Sequence, residues 1–289
     1  MTVEARARIA DRRSPTNSPS GQYASMGDVD WELRETGPRE AECTVLLLPG
    51  GMCSAGSYAE VMGEAVLDGV RLVAATLPGN AGAPPLDDAS IENCARVTSE
   101  LAKRVSADVV VGYSNGASVA YEMVVSGTFT GPVVLLGISL SSKDESAFFR
   151  GIVQLGKVLG GTPSKLLATA AGSMIKRTAL SADRKRELQE DFRKNVPQDT
   201  MRALSEYVNW LHRQEYPAER LCQAGIPTWI VHAEKGDGGL TEAERRTLEA
   251  CPHTRVVTIP GNVFFLPNEA SARVADVIME AVGQTSSIG

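Results

Sequence analysis

Val109-Val110-Val111-Gly112-Tyr113-Ser114-Asn115-Gly116-Ala117-Ser118 runs from an all-apolar stretch straight into small residues. The first half reads as a short buried strand, and the second as the opening turns of a helix. Between them, Gly112-Tyr113-Ser114-Asn115-Gly116 matches G-x-S-x-G. As bare text the pattern is weak, because two glycines and a serine fall together by chance. Between a strand and a helix it has a mechanical meaning. The glycines let the chain turn sharply, and the serine is held in a strained backbone with its oxygen clear of the sheet edge. The helix N-terminus beside that oxygen favours developing negative charge. The bland alternative is an ordinary Gly-rich turn, and the strand–turn–helix context weighs against it.

Working outward, the same alternation recurs. Asp30 to Glu35 alternates like an exposed strand, and Thr44 to Leu48 is apolar on both faces, as an inner strand covered by helices should be. Ser57 to Leu67 reads as a helix, Arg71 to Ala75 as a strand, and Ser90 to Val105 as a helix with Ser90 as N-cap. After the helix Asn115 to Val125 come strands at Pro132 to Leu136, Thr228 to His232 and Arg255 to Ile259. Helices near Thr241 to Ala250 and Glu269 to Val282 complete the series. Strands alternating with amphipathic helices predict a mostly parallel sheet covered on both faces. From about Ser141 to Leu221 there is no strand pattern, only four helical ones: Asp144 to Val158, Pro163 to Thr178, Ala182 to Lys194 and Asp199 to His212. An all-helical insertion at this point reads as a cap over the carboxyl ends of the strands, where open α/β sheets place their ligands. The expected organisation is a disordered Ser- and Pro-containing leader over 1–27, a core from 28–140 and 222–289, and a helical cap over 141–221.

The chain has 289 residues and a net charge of −6, a balance that does not attract nucleic acid. No run of 18 apolar residues exists to span a membrane, and the basic start lacks the apolar stretch of a secretory signal. Five cysteines, with no C-x-x-C pair, argue against a disulfide framework and a zinc site. A cytoplasmic home is the simplest expectation. No metal or cofactor is called for, and the expected partner is a small-molecule substrate, with room for a homodimer.

Four stretches together resemble the α/β-hydrolase superfamily over about Asp28 to Val282: LLLPGGM (Leu46 to Met52), TLPGNAGAPP (Thr76 to Pro85), the Gly112 to Gly116 motif, and the pair PTWIVHAEKGDGG and VVTIPGNVFFLP near the end. The resemblance implies an α/β-hydrolase fold with an inserted helical cap. It assigns Ser114 to the nucleophile position and the Asn115 N–H to one oxyanion-hole position. The N–H of Gly51 or Met52 takes the other. Asp237 falls on the acid, one place later than the usual spacing, with Glu234 as the fallback.

The histidine is missing. The family pattern Pro-Gly-x-x-His-Phe meets Pro260-Gly261-Asn262-Val263-Phe264-Phe265, so Phe264 fills the histidine position. Pro49 and Asn80 stand at two further positions where the family commonly has histidine. A serine hydroxyl without a base is a poor nucleophile, and loss of one triad member leaves about 10³–10⁴-fold over water. Of the three histidines, His253 lies before a strand and so at the wrong end of the sheet, roughly 20 Å away at 3.3 Å per strand residue. His232 ends a core strand at the correct edge. His212 closes a cap helix, where it could hang over Ser114 or simply suit the helix dipole. The expected site is therefore Ser114, Asp237, Gly51, Met52 and Asn115, in a pocket with Phe264 and His212. The implied activity is on a small, largely apolar carbonyl or ester compound, non-hydrolytic (lyase, isomerase or cyclase) because of Phe264. An esterase-like hydrolase with a non-standard base and a non-catalytic small-ligand binder stay open beside it.

Overall fold

The computed structural model describes residues 22–26, 29–144, 172–173, 175–235 and 239–285. Its strands are β1 (Gln22–Met26), β2 (Val29–Thr36), β3 (Thr44–Leu48), β4 (Arg71–Ala75), β5 (Val109–Tyr113), β6 (Val133–Leu136), β7 (Thr228–Lys235) and β8 (Thr254–Asn262). The principal helices are α1 (Ile91–Val105), α2 (Asn115–Val125), α3 (Ala182–Lys194), α4 (Pro197–Arg213), α5 (Pro217–Ala224), α6 (Glu242–Glu249) and α7 (Ser271–Thr285). The strands make one sheet in the order β1-β2-β4-β3-β5-β6-β7-β8. From β4 to β8 every neighbouring pair is parallel, and β1 and β2 form an antiparallel margin. The chain steps from β3 outward to β4 and then crosses back to β5 on the other side. That reversal opens a crevice at the carboxyl ends of β3 and β5, the place where doubly wound sheets bind ligands.

The residues account for the layers. β3 and β5 are buried along their whole length, so their side chains alternate into two apolar clusters. Leu46, Leu48 and Val110 pack on one face with Ala120 and Met123 of α2 and Leu101 of α1. Val45, Leu47, Val109 and Val111 pack on the other with Val274 and Ile278 of α7. A third, smaller cluster joins Met52 and Cys53 of the core to Leu188 and Phe192 of α3, with Ile175. α1 starts where Ser90 accepts the Asn93 N–H at 3.3 Å, and α6 starts at a capping box between Thr241 and Glu244.

Three expectations need correcting. Gln22–Met26, assigned to a disordered leader, pairs antiparallel with β2. The helix expected over Ser57 to Leu67 is three short pieces, Ala55–Tyr58, Ala59–Met62 and Ala65–Leu67, because Gly63 ends the middle turn and Glu64 is extended. Both β7 and β8 run three residues longer than expected at their carboxyl ends. Of the cap helices, α3 matches its expected span and α4 extends from Pro197 to Arg213. Asp144 to Val158 lies outside the described residues except for Asp144 itself. Within Pro163 to Thr178 only 172–173 and 175–178 are described, with 172–173 and 175–177 helical. The described residues between β6 and β7 contain helices and no strand.

The turn from β5 into α2 depends on close approach. A Cβ on Gly112 would sit 2.3 Å from the Gly116 carbonyl oxygen, and one on Gly116 would sit 2.3 Å from that of Leu48. Both obstacles are backbone and cannot swing aside. Gly116→Ala is therefore expected to destabilise the fold by about 1–3 kcal/mol or more, lowering the melting temperature by several degrees. Thermal unfolding followed by circular dichroism checks this, with the exposed helical Gly283→Ala, which meets nothing within 4 Å, as a control that keeps or slightly raises the wild-type value.

Candidate active site

Ser114 sits between β5 and α2 with φ 49 and ψ −114, a left-handed conformation that a side chain rarely adopts. The surrounding backbone holds it there. The Ser114 N–H donates to the Leu136 carbonyl at 2.8 Å, and its own carbonyl accepts from Ala117 at 2.9 Å and Ser118 at 3.1 Å. Its side chain makes no capping bond to α2. Asn115 is the first residue of that helix, so its N–H has no intrahelical acceptor and faces outward with the positive end of the dipole.

Opposite lies the turn that follows β3. Cys53 N–H donates to the Gly50 carbonyl at 3.2 Å, closing Gly50-Gly51-Met52-Cys53, with Met52 at φ 66. The Met52 N–H donates to Asn80 Oδ1 at 2.7 Å. That bond commits the Met52 N–H within the protein. Asn80 is buried, and its Nδ2 donates to the Leu77 and Pro78 carbonyls at 3.3 and 3.1 Å.

Ser114, Asn115, Gly51, Met52 and Phe264 all line one cavity of about 240 Å³ between the sheet edge and the cap. Phe192 of α3, Thr200, Leu204 and Tyr207 of α4, and Phe265 form its apolar roof and wall. The loop bearing Phe264 is held at both ends of its peptide unit. Tyr113 Oη donates to the Phe264 carbonyl at 2.6 Å, and the Phe264 and Phe265 N–H groups donate to Glu269 Oε1 at 3.0 and 2.9 Å.

Other expected residues fall elsewhere. His212 is exposed on α4, with Nδ1 2.8 Å from the Val208 carbonyl, and it does not line the cavity. The reason is helical phase: Leu204 and Tyr207 turn inward, and His212 follows on the outer side. His232 is buried within β7, away from the cavity lining. His253 stands before β8, its carbonyl accepting from Thr228 at 2.8 Å, at the amino end of the sheet. Glu234 is exposed and accepts from the Gly261 N–H at 3.1 Å. Asp237 lies outside the described residues.

No Asp, Glu, Lys, Arg or His is among the described residues that line this cavity. Its one ionisable thiol, Cys53, is pushed up to about 12, chiefly by burial and then by the charge of Asp191. Among the described residues no three His, Cys, Asp or Glu side chains gather as a metal-ligand set. Sequence reasoning passed over Asn80 as a contributor to the turn, and missed Phe192, Thr200 and Tyr207. The apolar positions of α3 and α4 carried a signal for burial, none for a cavity.

A thiol held near 12 is about one part in 10⁴ ionised at pH 8, and the thiolate is the reactive form. Iodoacetamide at pH 8 should therefore leave Cys53 unmodified in the folded protein and modify it in denaturant, read by peptide mass spectrometry.

The family model described as the Alpha/beta hydrolase family matches residues 45–277. No curated protein matches the sequence. Solved structures match it closely in shape. The thioesterase domain from the curacin biosynthetic pathway aligns with a TM-score of 0.67 at 19% identity, covering 91% of this chain and 100% of that one. A thermophilic esterase from Thermogutta terrifontis aligns with a TM-score of 0.69 at 17% identity, covering 92% and 97%. A serine hydrolase involved in carbazole degradation, the CarC enzyme, aligns at 0.66 and 16% identity, covering 92% and 99%. With the strand order, the Ser114 turn and a family model spanning most of its length, this chain belongs to the alpha/beta hydrolase family.

Proposed function

We propose that this protein is an enzyme for a small, uncharged, largely apolar carbonyl or ester compound, and that its main reaction does not run through a serine–imidazole proton relay. The observation that carries this is the lining of the cavity: a strained serine and outward-facing N–H groups are present, while its described residues include no His, carboxylate or amine. Preorganised N–H donors stabilise any oxyanion that develops on a carbonyl, enolate or tetrahedral alike. In this reading Gly51 and Asn115 supply them, since the Met52 N–H is taken by Asn80, with Ser114 Oγ–H as a third donor. Phe264 replaces the imidazole with an apolar face that keeps water away. The reactions open to such a site are those in which the substrate supplies its own proton acceptor, or needs none. Intramolecular cyclisation, isomerisation and elimination belong to that class.

Size and polarity narrow the substrate. An apolar cavity of about 150 Å³ takes one benzene ring, so 240 Å³ suits a ring with a short substituent or a chain of similar bulk. An ionised group elsewhere on the substrate, away from the N–H donors, would meet no counter-charge among the described lining residues and would be costly to desolvate.

A second reading, ester or thioester hydrolysis with a non-standard base, is favoured by the strained φ of Ser114 and by likeness to structures named as an esterase, a thioesterase and a serine hydrolase. It would draw its acid from Asp237.

The two separate cleanly in the test tube. Wild-type protein is expected to turn over 4-nitrophenyl acetate weakly and to react slowly with a fluorophosphonate probe. Phe264→His should raise both rates by at least about tenfold, since an intact triad is worth far more than the residual catalysis left without one. Brisk ester turnover by the wild type, abolished in Ser114→Ala, would instead establish the hydrolase.

A further inference from the structure

The turn that presents Gly51 is gripped from two sides, and one grip comes from the cap. Met52 has φ 66, and in the neighbouring loop Ala81 has φ 47; both are non-glycine residues in a left-handed backbone. Such residues persist only where the surroundings over-determine them. The shared restraint is Asn195, the C-cap of α3. Its Oδ1 accepts the Ala81 N–H at 2.9 Å, and its Nδ2 donates to the Met52 carbonyl at 2.9 Å. The same Nδ2 reaches the Asp191 and Phe192 carbonyls at 3.0 and 3.2 Å, the unpaired end of α3. Both polar backbone groups of Met52 are thus held by asparagine side chains, the N–H by Asn80 and the carbonyl by Asn195. The Met52 carbonyl shares its peptide plane with the Cys53 N–H, which donates to the Gly50 carbonyl at 3.2 Å; that carbonyl in turn shares a plane with the Gly51 N–H, so the grip of Asn195 is passed through the turn to the direction of that N–H.

The rest of α3 lies along the same stretch of core. Asp191 accepts a short hydrogen bond from Ser54 Oγ, and Arg184 pairs with Glu60 at 2.6 Å and donates to the Gly56 carbonyl. Leu188 and Phe192 pack on Met52 and Cys53. The helix is therefore fastened to residues 52–60 along its length, but only Asn195 bonds to the backbone of the turn itself. We propose that Asn195 is a positioning residue that couples the seating of cap helix α3 to the aim of the Gly51 N–H, so that the oxyanion site is complete only while the cap is closed on it. This rests on the assignment of Gly51 and Asn115 as oxyanion donors.

The test uses an oxyanion mimic and needs no turnover. 4-Nitrophenol is small enough for the cavity, and its anion absorbs where the neutral phenol does not. Titrated into full-length wild-type protein at a pH below its own ionisation, it should bind with growth of the anion band. Asn195→Ala should weaken anion binding by about tenfold, less than loss of a whole donor and in keeping with a misaimed one. Asn195→Asp keeps an acceptor for Ala81 but sets a carboxylate oxygen against the Met52 carbonyl, so it should weaken binding as much; it also carries the test if the alanine variant does not fold. Arg184→Ala cuts the neighbouring anchor without touching the turn and should change binding less than twofold.

Wild-type anion binding that survives both Asn195 substitutions would overturn this role alone. An equal loss in Arg184→Ala would overturn it too, since cap attachment in general would then explain the effect. Absence of the anion band in the wild type would overturn the oxyanion assignment, and this coupling with it.

Discussion

The constraint on which the Ser114 site depends is the approach of α2 to the end of β3. Gly116 has to pass so near the Leu48 carbonyl, and Gly112 so near Gly116, that a methyl group at either position would collide with backbone. That closeness forces the chain to reverse within a few residues. It leaves Ser114 at a positive φ with its side chain beyond the sheet edge, and it sets the first N–H of α2 beside it. It also brings the Gly50 to Cys53 turn, which continues from β3, to the same place. The crevice between β3 and β5 exists because of the strand order, but what fills it follows from those two glycines.

Around this frame the chemistry is unevenly supplied. The helix N-terminus stands beside Ser114, and the facing turn is held in a strained shape by two asparagine side chains. No His, carboxylate or amine stands among the described residues of the cavity wall. Phe264 occupies the loop where the family carries its base, and its backbone is fastened by Tyr113 on one side and Glu269 on the other. The loop is therefore kept in order although the residue it presents cannot accept a proton.

The cap serves as more than a cover. Its helices α3 and α4 contribute the apolar side of the cavity through Phe192, Leu204 and Tyr207. Through Asn195 the cap also enters the hydrogen bonding of the Gly50 to Cys53 turn. A site whose donors depend on a cap contact differs from one built wholly on the sheet.

Much of this was legible in the residues taken in order. Strand and helix leave periodicities of two and 3.6 that survive in a linear chain, so the bounds of β3, β4 and α3 came out as expected. The Gly112 to Gly116 turn was legible because its residues are neighbours and their steric roles are local. The substitution of Phe264 was equally plain, since it needs only the alignment of one short loop. What the linear chain did not disclose is contact between distant segments. Asn195 meets residues 114 and 143 positions away, and nothing near it distinguishes it from any asparagine that ends a helix. The same holds for the outward phase of His212 and for the bond that commits the Met52 N–H to Asn80, 28 positions away. Local sequence determines which backbone each segment prefers, because propensity and sterics act over a few residues. Which donors remain free for a ligand is decided only when the folded chain has paired all the others.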